Sequence, residues 1–204
     1  MKNLFRKKSI EGNKSGTIVI VSGLPRSGTS MMMKMLAEGG MQVVTDSLRS
    51  ADDDNPNGYF ELEAVKQLPQ GNVKWLAEAD HKVVKIISQF LEYLPPENRY
   101  KIIFMEREIK EVLASQKKML ARRNEASQME DAAMEKQFLD HLNSVKYWLA
   151  RQPNMEVLYL NYNLLISSPL KYCQTVRDFL EIPLDIESMY AVPSEKLYRN
   201  RILA

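Results

Sequence analysis

The chain has 204 residues, 45% of them hydrophobic, and its 28 basic and 26 acidic side chains leave a net charge of +2. That length and apolar content can fill a sizeable core, while the near-balance of charge gives no case for a nucleic-acid partner and leaves room only for a local basic pocket. The single cysteine, Cys173, has no internal partner, in keeping with a reducing compartment, and no run approaches the roughly 18 apolar residues of a membrane span.

Residues 1–16 read as a flexible leader. The basic start Met1–Lys8 is followed by residues that are polar except for Ile10, without the apolar core of a secretory signal. The expectation is a cytoplasmic protein with one domain spanning 17–204.

Four short apolar runs predict strands at 17–22, 82–87, 100–105 and 155–160. They lack strict alternation, which suits strands buried on both faces of a parallel sheet. Helical spacing follows the first run at Met31–Leu36. It recurs at Ile109, Val112, Leu113, Met119 and Leu120, and again at Met134, Phe138, Leu142, Val145 and Leu149. Ser168-Pro169 has the form of an N-cap with proline at the first helical position, opening a helix that buries Leu170, Cys173, Val176 and Phe179. Between the first two strands, Asp52–Gly58 is an acidic turn-rich loop, and Tyr59–Glu63 opens a helix after it. Strands separated by helices predict a three-layer α/β/α fold around a mainly parallel sheet of four to five strands.

The turn after the first strand, Ser22-Gly23-Leu24-Pro25-Arg26-Ser27-Gly28-Thr29-Ser30, carries the chemistry. Strand, glycine-rich turn and helix make a phosphate-binding loop, because backbone N–H groups at a helix N-terminus attract an anion. Gly23, Gly28 and Ser30 fit the P-loop template, but Thr29 stands where its lysine belongs, and Arg26 is the nearest positive charge. Enzymes using ATP and magnesium on this architecture need that lysine and a carboxylate at a nearby strand end. Here only Glu106 ends a strand, and Arg107 beside it favours an anion over a metal. A sulfuryl group in transfer carries less charge than a phosphoryl group, so fixed basic side chains can stabilise it without a metal ion.

These residues together resemble the sulfotransferases that use 3′-phosphoadenosine 5′-phosphosulfate (PAPS), particularly the compact bacterial members. Pro25-Arg26-Ser27-Gly28-Thr29-Ser30 resembles the family's 5′-phosphosulfate loop. Arg107 with Ser115 eight residues later resembles its 3′-phosphate pair, and Tyr162-Asn163-Leu164-Leu165 with Ser168-Pro169 its late strand–helix signature. Asn57–Glu61 and Leu197–Arg201 are similar to segments of the bacterial members, so the resemblance spans about residues 17–201. It implies transfer of a sulfuryl group from PAPS, with adenosine 3′,5′-bisphosphate as product and no metal, to a hydroxyl or amine of a small-molecule, carbohydrate or lipid acceptor. Two features depart from the pattern. Lys85 matches a strand lysine that many cytosolic members follow with a catalytic histidine, but Ile87 fills the histidine's place. The C-terminal glycine-rich clamp on the nucleotide is also absent, and Arg199 and Arg201 are the candidates to replace it.

Lys85 lies among Val83, Val84, Ile86 and Ile87, where a lysine is costly unless its ammonium finds an anion at the strand end. It and Arg26 are assigned to charge on the transferred group and leaving phosphate. For the base, Glu61 is preferred, at a helix start near the crevice, over Asp46, His81 and His141. Both histidines read as structural, His81 because it begins a strand at the end away from the crevice. Asp52–Asp54 read as a solvated turn and the methionines after the loop as core. Two rival readings stay open: an ATP-dependent small-molecule kinase, and a non-catalytic nucleotide-binding protein. Assembly as a homodimer also stays open.

Overall fold

Alternate residues of the first strand, β1 (Thr17–Gly23), enter two different hydrophobic clusters: Val19 and Val21 pack on one face of a sheet, Ile18 and Ile20 on the other. A period of two with both faces apolar is the signature of a strand covered on both sides. The computed structural model describes residues 16–46, 58–122, 124–125 and 130–193.

From β1 the chain passes through helix α1 (Thr29–Glu38) to the two-residue strand β2 (Val43–Val44), then through 3₁₀ helices at Glu63–Gln70 and Lys74–Glu78 to β3 (Val83–Lys85). A third 3₁₀ helix, Ser88–Tyr93, leads to β4 (Arg99–Glu106), which is followed by α2 (Ile109–Arg122), α3 (Asp131–Leu149) and β5 (Met155–Asn161). Helices α4 (Tyr162–Ser167), α5 (Pro169–Leu180) and α6 (Ile186–Tyr190) complete the described chain. The five strands form one sheet in the order β2-β3-β1-β4-β5, every neighbouring pair parallel. One face carries Met31, Met32, Met33, Met35 and Leu36 of α1 with Cys173 and Val176 of α5; the other carries Leu68, Leu76 and Leu91 of the 3₁₀ helices with Leu149 of α3. This is the three-layer parallel α/β fold expected, and the methionine run is core.

Several local expectations need correction. Tyr59–Glu63 does not open a helix at its start: the 3₁₀ helix begins at Glu63, and Leu62 before it is extended. Ser168 stands at the N-cap position of α5 but its side chain makes no capping hydrogen bond, and Leu170 is 51% exposed on the outer side of that helix. Strand β2 and helices α4 and α6 were not anticipated, being too short to show a period in sequence. His81 is an exposed residue in a left-handed turn (φ 56°), not a packed one. No helix among the described residues is long and apolar enough to cross a membrane.

Candidate active site

Register places the chemistry. Val21 pairs with Lys85 on one side of β1, and Gly23 pairs with Met105 on the other. The loop after β1, the end of β3 and the Glu106-Arg107 end of β4 therefore open side by side at the carboxyl edge of the sheet, where ligands of such folds bind. β3 is an inner strand, so Lys85 is not a sheet-edge lysine.

Two glycines set the shape of the turn. Gly23 has φ 141°, and a Cβ there would lie 2.4 Å from the Met105 carbonyl oxygen. Gly28 precedes α1 in the left-handed region at φ 101°, and a Cβ would lie 2.4 Å from the Tyr162 ring. Arg26 adopts φ 72°, a conformation that is strained for a non-glycine residue. The structure holds Arg26 in place on both sides: its Nε donates to Ser115 Oγ at 2.9 Å, and its carbonyl accepts from Arg107 Nη1 at 3.3 Å. The guanidinium of Arg107 also lies 4.5 Å from the centre of the Tyr162 ring. Thus Arg26 from the loop after β1 meets Arg107 and Ser115, from the end of β4 and the following helix, at one corner. Ser27 Oγ, beside them, is buried with no protein hydrogen-bond partner. A buried hydroxyl in that state suits an added acceptor or donor.

A second group forms on the other side of the loop. Lys85 Nζ donates to Ser30 Oγ at 3.1 Å and to the Tyr59 carbonyl at 2.9 Å, and lies 3.9 Å from Glu61 Oε1. The lysine side chain is 9% exposed and that of Glu61 38%, so the carboxylate side chain is the more open of the two. Glu61 is fixed by its backbone, its carbonyl accepting from Thr45 Oγ1 at 2.8 Å and from the Asp46 N–H at 3.3 Å. The neighbouring Phe60 is left-handed at φ 51°. Asp46 Oδ2 accepts the Glu63 N–H at 2.6 Å, so this carboxylate caps the 3₁₀ helix start. Thr29 is buried in the first turn of α1, and Pro25 is exposed at the tip of the loop.

The remaining candidates lie elsewhere. His141 Nε2 is 2.8 Å from Ser88 Oγ, pinning α3 to the 3₁₀ helix after β3, and burial pushes its pKa below the usual value despite an opposing effect of Glu92. Glu106 is ion-paired with Lys146 of α3. Asp52–Asp54, Arg199 and Arg201 lie outside the described residues. Sequence reasoning missed Glu111, which is 1% exposed and accepts from Arg107 Nε at 2.9 Å. Its position four residues after Arg107 was the available signal.

A glycine turn between a central parallel strand and a helix, flanked by largely buried basic side chains from the adjoining strand ends, defines an α/β protein of P-loop type. Residues 17–198 match the family model described as the sulfotransferase domain, and the chain belongs to that family. Its members are transferases. Among solved structures, the chain is similar in fold to the sulfotransferase domain from the curacin biosynthetic pathway. The two share 14% identity over 85% of this chain and 76% of that one, at a TM-score of 0.50. No curated protein matches it.

Proposed function

We propose that the protein transfers a sulfuryl group from PAPS to a hydroxyl or amine of a small-molecule, carbohydrate or lipid acceptor. The observation that carries this reading is the contact between Lys85 Nζ and Ser30 Oγ. In magnesium-dependent P-loop enzymes the hydroxyl at this position of the loop binds the metal. Here the ammonium of a largely buried lysine from β3 holds it instead, so the cation is part of the protein. That arrangement suits a transferred group of lower charge and disfavours the ATP-dependent kinase.

The residues present fit a nucleotide with phosphates at two places. The glycine turn, Ser27, Thr29 and Ser30 would hold the 5′ end, and Arg107 with Ser115 the 3′-phosphate, with Arg26 bridging the two. When bound, the donor supplies an activated sulfuryl group on a phosphate leaving group. Lys85 stabilises charge that develops on the transferred group and leaving oxygen, a role worth most in a site that excludes water. Glu61, partly open to solvent and beside that ammonium, takes the acceptor proton.

The test is nucleotide choice in a thermal melt. Adenosine 3′,5′-bisphosphate should raise Tm well above the effect of ATP with magnesium, because a ligand stabilises the fold according to its affinity. Equal or greater protection by ATP with magnesium would overturn the reading. Incubation with PAPS and an acceptor panel, read as added sulfuryl mass, then separates an enzyme from a protein that only binds the nucleotide.

A further inference from the structure

Glu111 is a carboxylate that burial makes costly and that stability alone does not explain. It sits in the first turn of α2, 1% exposed, with Arg107 Nε donating to Oε2 at 2.9 Å and Asn163 Nδ2 donating to Oε1 at 3.2 Å. Removing two charges from water offsets most of what a buried ion pair returns, and well-packed apolar residues often serve stability as well. Glu111 also places negative charge beside the basic corner where an anion is expected, which reduces attraction for any anion. What the pair supplies is orientation.

Three segments converge on the Arg107 guanidinium. Glu111 of α2 fixes Nε, the Arg26 carbonyl of the loop after β1 fixes Nη1, the Tyr162 ring at the start of α4 lies 4.5 Å from it, and Asn163 anchors the far oxygen of Glu111. A guanidinium recognises phosphate through a planar fork, so its plane and rotation decide whether two oxygens can be met together. With Nε engaged by a carboxylate and the face covered by an aromatic ring, the rotation of that fork is set before any ligand arrives.

We propose that Glu111 is a positioning residue which, held by Asn163, orients Arg107 so that this corner discriminates a terminal phosphate on the nucleotide, the 3′-phosphate, from a bare 3′-hydroxyl. The inference rests on the PAPS reading above and adds to it a residue that touches no ligand. It implies that Glu111 gives up general anion affinity in exchange for selectivity.

The experiment is calorimetric binding of adenosine 3′,5′-bisphosphate and of adenosine 5′-monophosphate to the intact chain, compared as a ratio of Kd values. The wild type should favour the bisphosphate strongly. Glu111→Gln keeps the size of the side chain but must turn an NH₂ group toward one of its two donors, and should reduce the ratio about tenfold or more, as expected for one misplaced charge-assisted contact. Glu111→Asp retains the charge and withdraws the carboxylate by one methylene. It should lower the ratio too, and it carries the test if the glutamine variant does not fold. A lowered Tm with an unchanged ratio in either folded variant would mean a structural role and overturn the inference alone. A wild-type ratio near one would instead overturn the 3′-phosphate assignment on which it rests.

Discussion

Arg26 Nε donates to Ser115 Oγ at 2.9 Å, joining the loop after β1 to the second turn of α2 across 89 residues of sequence. The contact places the loop's own positive charge at the Arg107 corner, while Lys85 supplies charge at the Ser30 side. The basic charge around the turn is thus divided between two strand ends. Because Arg26 and Ser115 touch, their contributions to bisphosphate binding should be coupled. Arg26→Ala should cost about 1.5–3 kcal/mol in affinity as loss of a charged contact. In a double-mutant cycle with Ser115→Ala, the two effects should fall short of additivity by roughly 0.5 kcal/mol or more. Strict additivity in titration calorimetry would show that the two side chains act on separate parts of the ligand.

Lys85 should matter to chemistry and little to folding. It is a nearly buried ammonium whose partners are a hydroxyl, a carbonyl and a partly exposed carboxylate. Lys85→Met fills nearly the same volume without the cost of desolvating a charge, so Tm should hold or rise. Turnover should fall by on the order of 10²-fold, as when a single charge-stabilising donor is lost. A variant with unchanged Tm and full turnover would remove Lys85 from the mechanism.

Glu61→Gln tests the base. Turnover should drop by at least ~10²-fold, while the thermal protection given by adenosine 3′,5′-bisphosphate should persist, since Glu61 lies on the Lys85 side of the loop and not at the Arg107 corner. Undiminished turnover would exclude Glu61. Asp46 is a poor second choice, because its Oδ2 is already bound to the Glu63 N–H.

Gly28→Ala should disturb the turn itself. The new methyl would sit 2.4 Å from the Tyr162 ring, on a residue at φ 101°. Strain at a left-handed position costs roughly 1–3 kcal/mol, so chemical denaturation should show a loss of that order, and bisphosphate binding should weaken with it. Stability equal to wild type would mean that Tyr162 and the turn move aside freely.

His141 should give stability a pH dependence. Burial lowers its folded-state pKa below the usual 6.5, so the neutral ring is favoured in the fold and the unfolded chain binds the proton more readily. The contribution is complete above about pH 6.5 and is lost as pH falls from there through the lower folded value. Tm measured from pH 7.5 downward should therefore fall more steeply in wild type than in His141→Gln. Parallel curves would show that another group governs that range.

Much of this protein was legible in its sequence because the signals were local. The runs at 17–22 and 100–105 contain apolar residues for both faces, so a buried parallel strand was the only economical reading of each. The glycine turn and the helix after it follow from backbone rules that operate within a dozen residues, and so did the expectation that a lysine amid Val83, Val84 and Ile86 must reach a strand end. Arg107 at a strand end and Ser115 roughly two turns into the following helix were paired through the family resemblance, with the helix geometry in support.

Only the tertiary structure decided which of these groups meet. The strand order β2-β3-β1-β4-β5 puts β3 and β4 on either side of β1, although β3 begins 60 residues after β1 ends. That order, invisible to any local pattern, is why Lys85 finds Ser30 and Arg107 finds the Arg26 carbonyl. Glu111, and the partnership of Asn163 with it, escaped notice for the same reason. A glutamate in a helix and an asparagine after a strand are ordinary surface residues in sequence, and they become hydrogen-bonded partners, with Glu111 buried, only when α2 and α4 meet at the same corner. Periodicity records which face of an element is dry; the pairing of polar groups across elements depends on register and crossing, which the order of residues along one element does not encode.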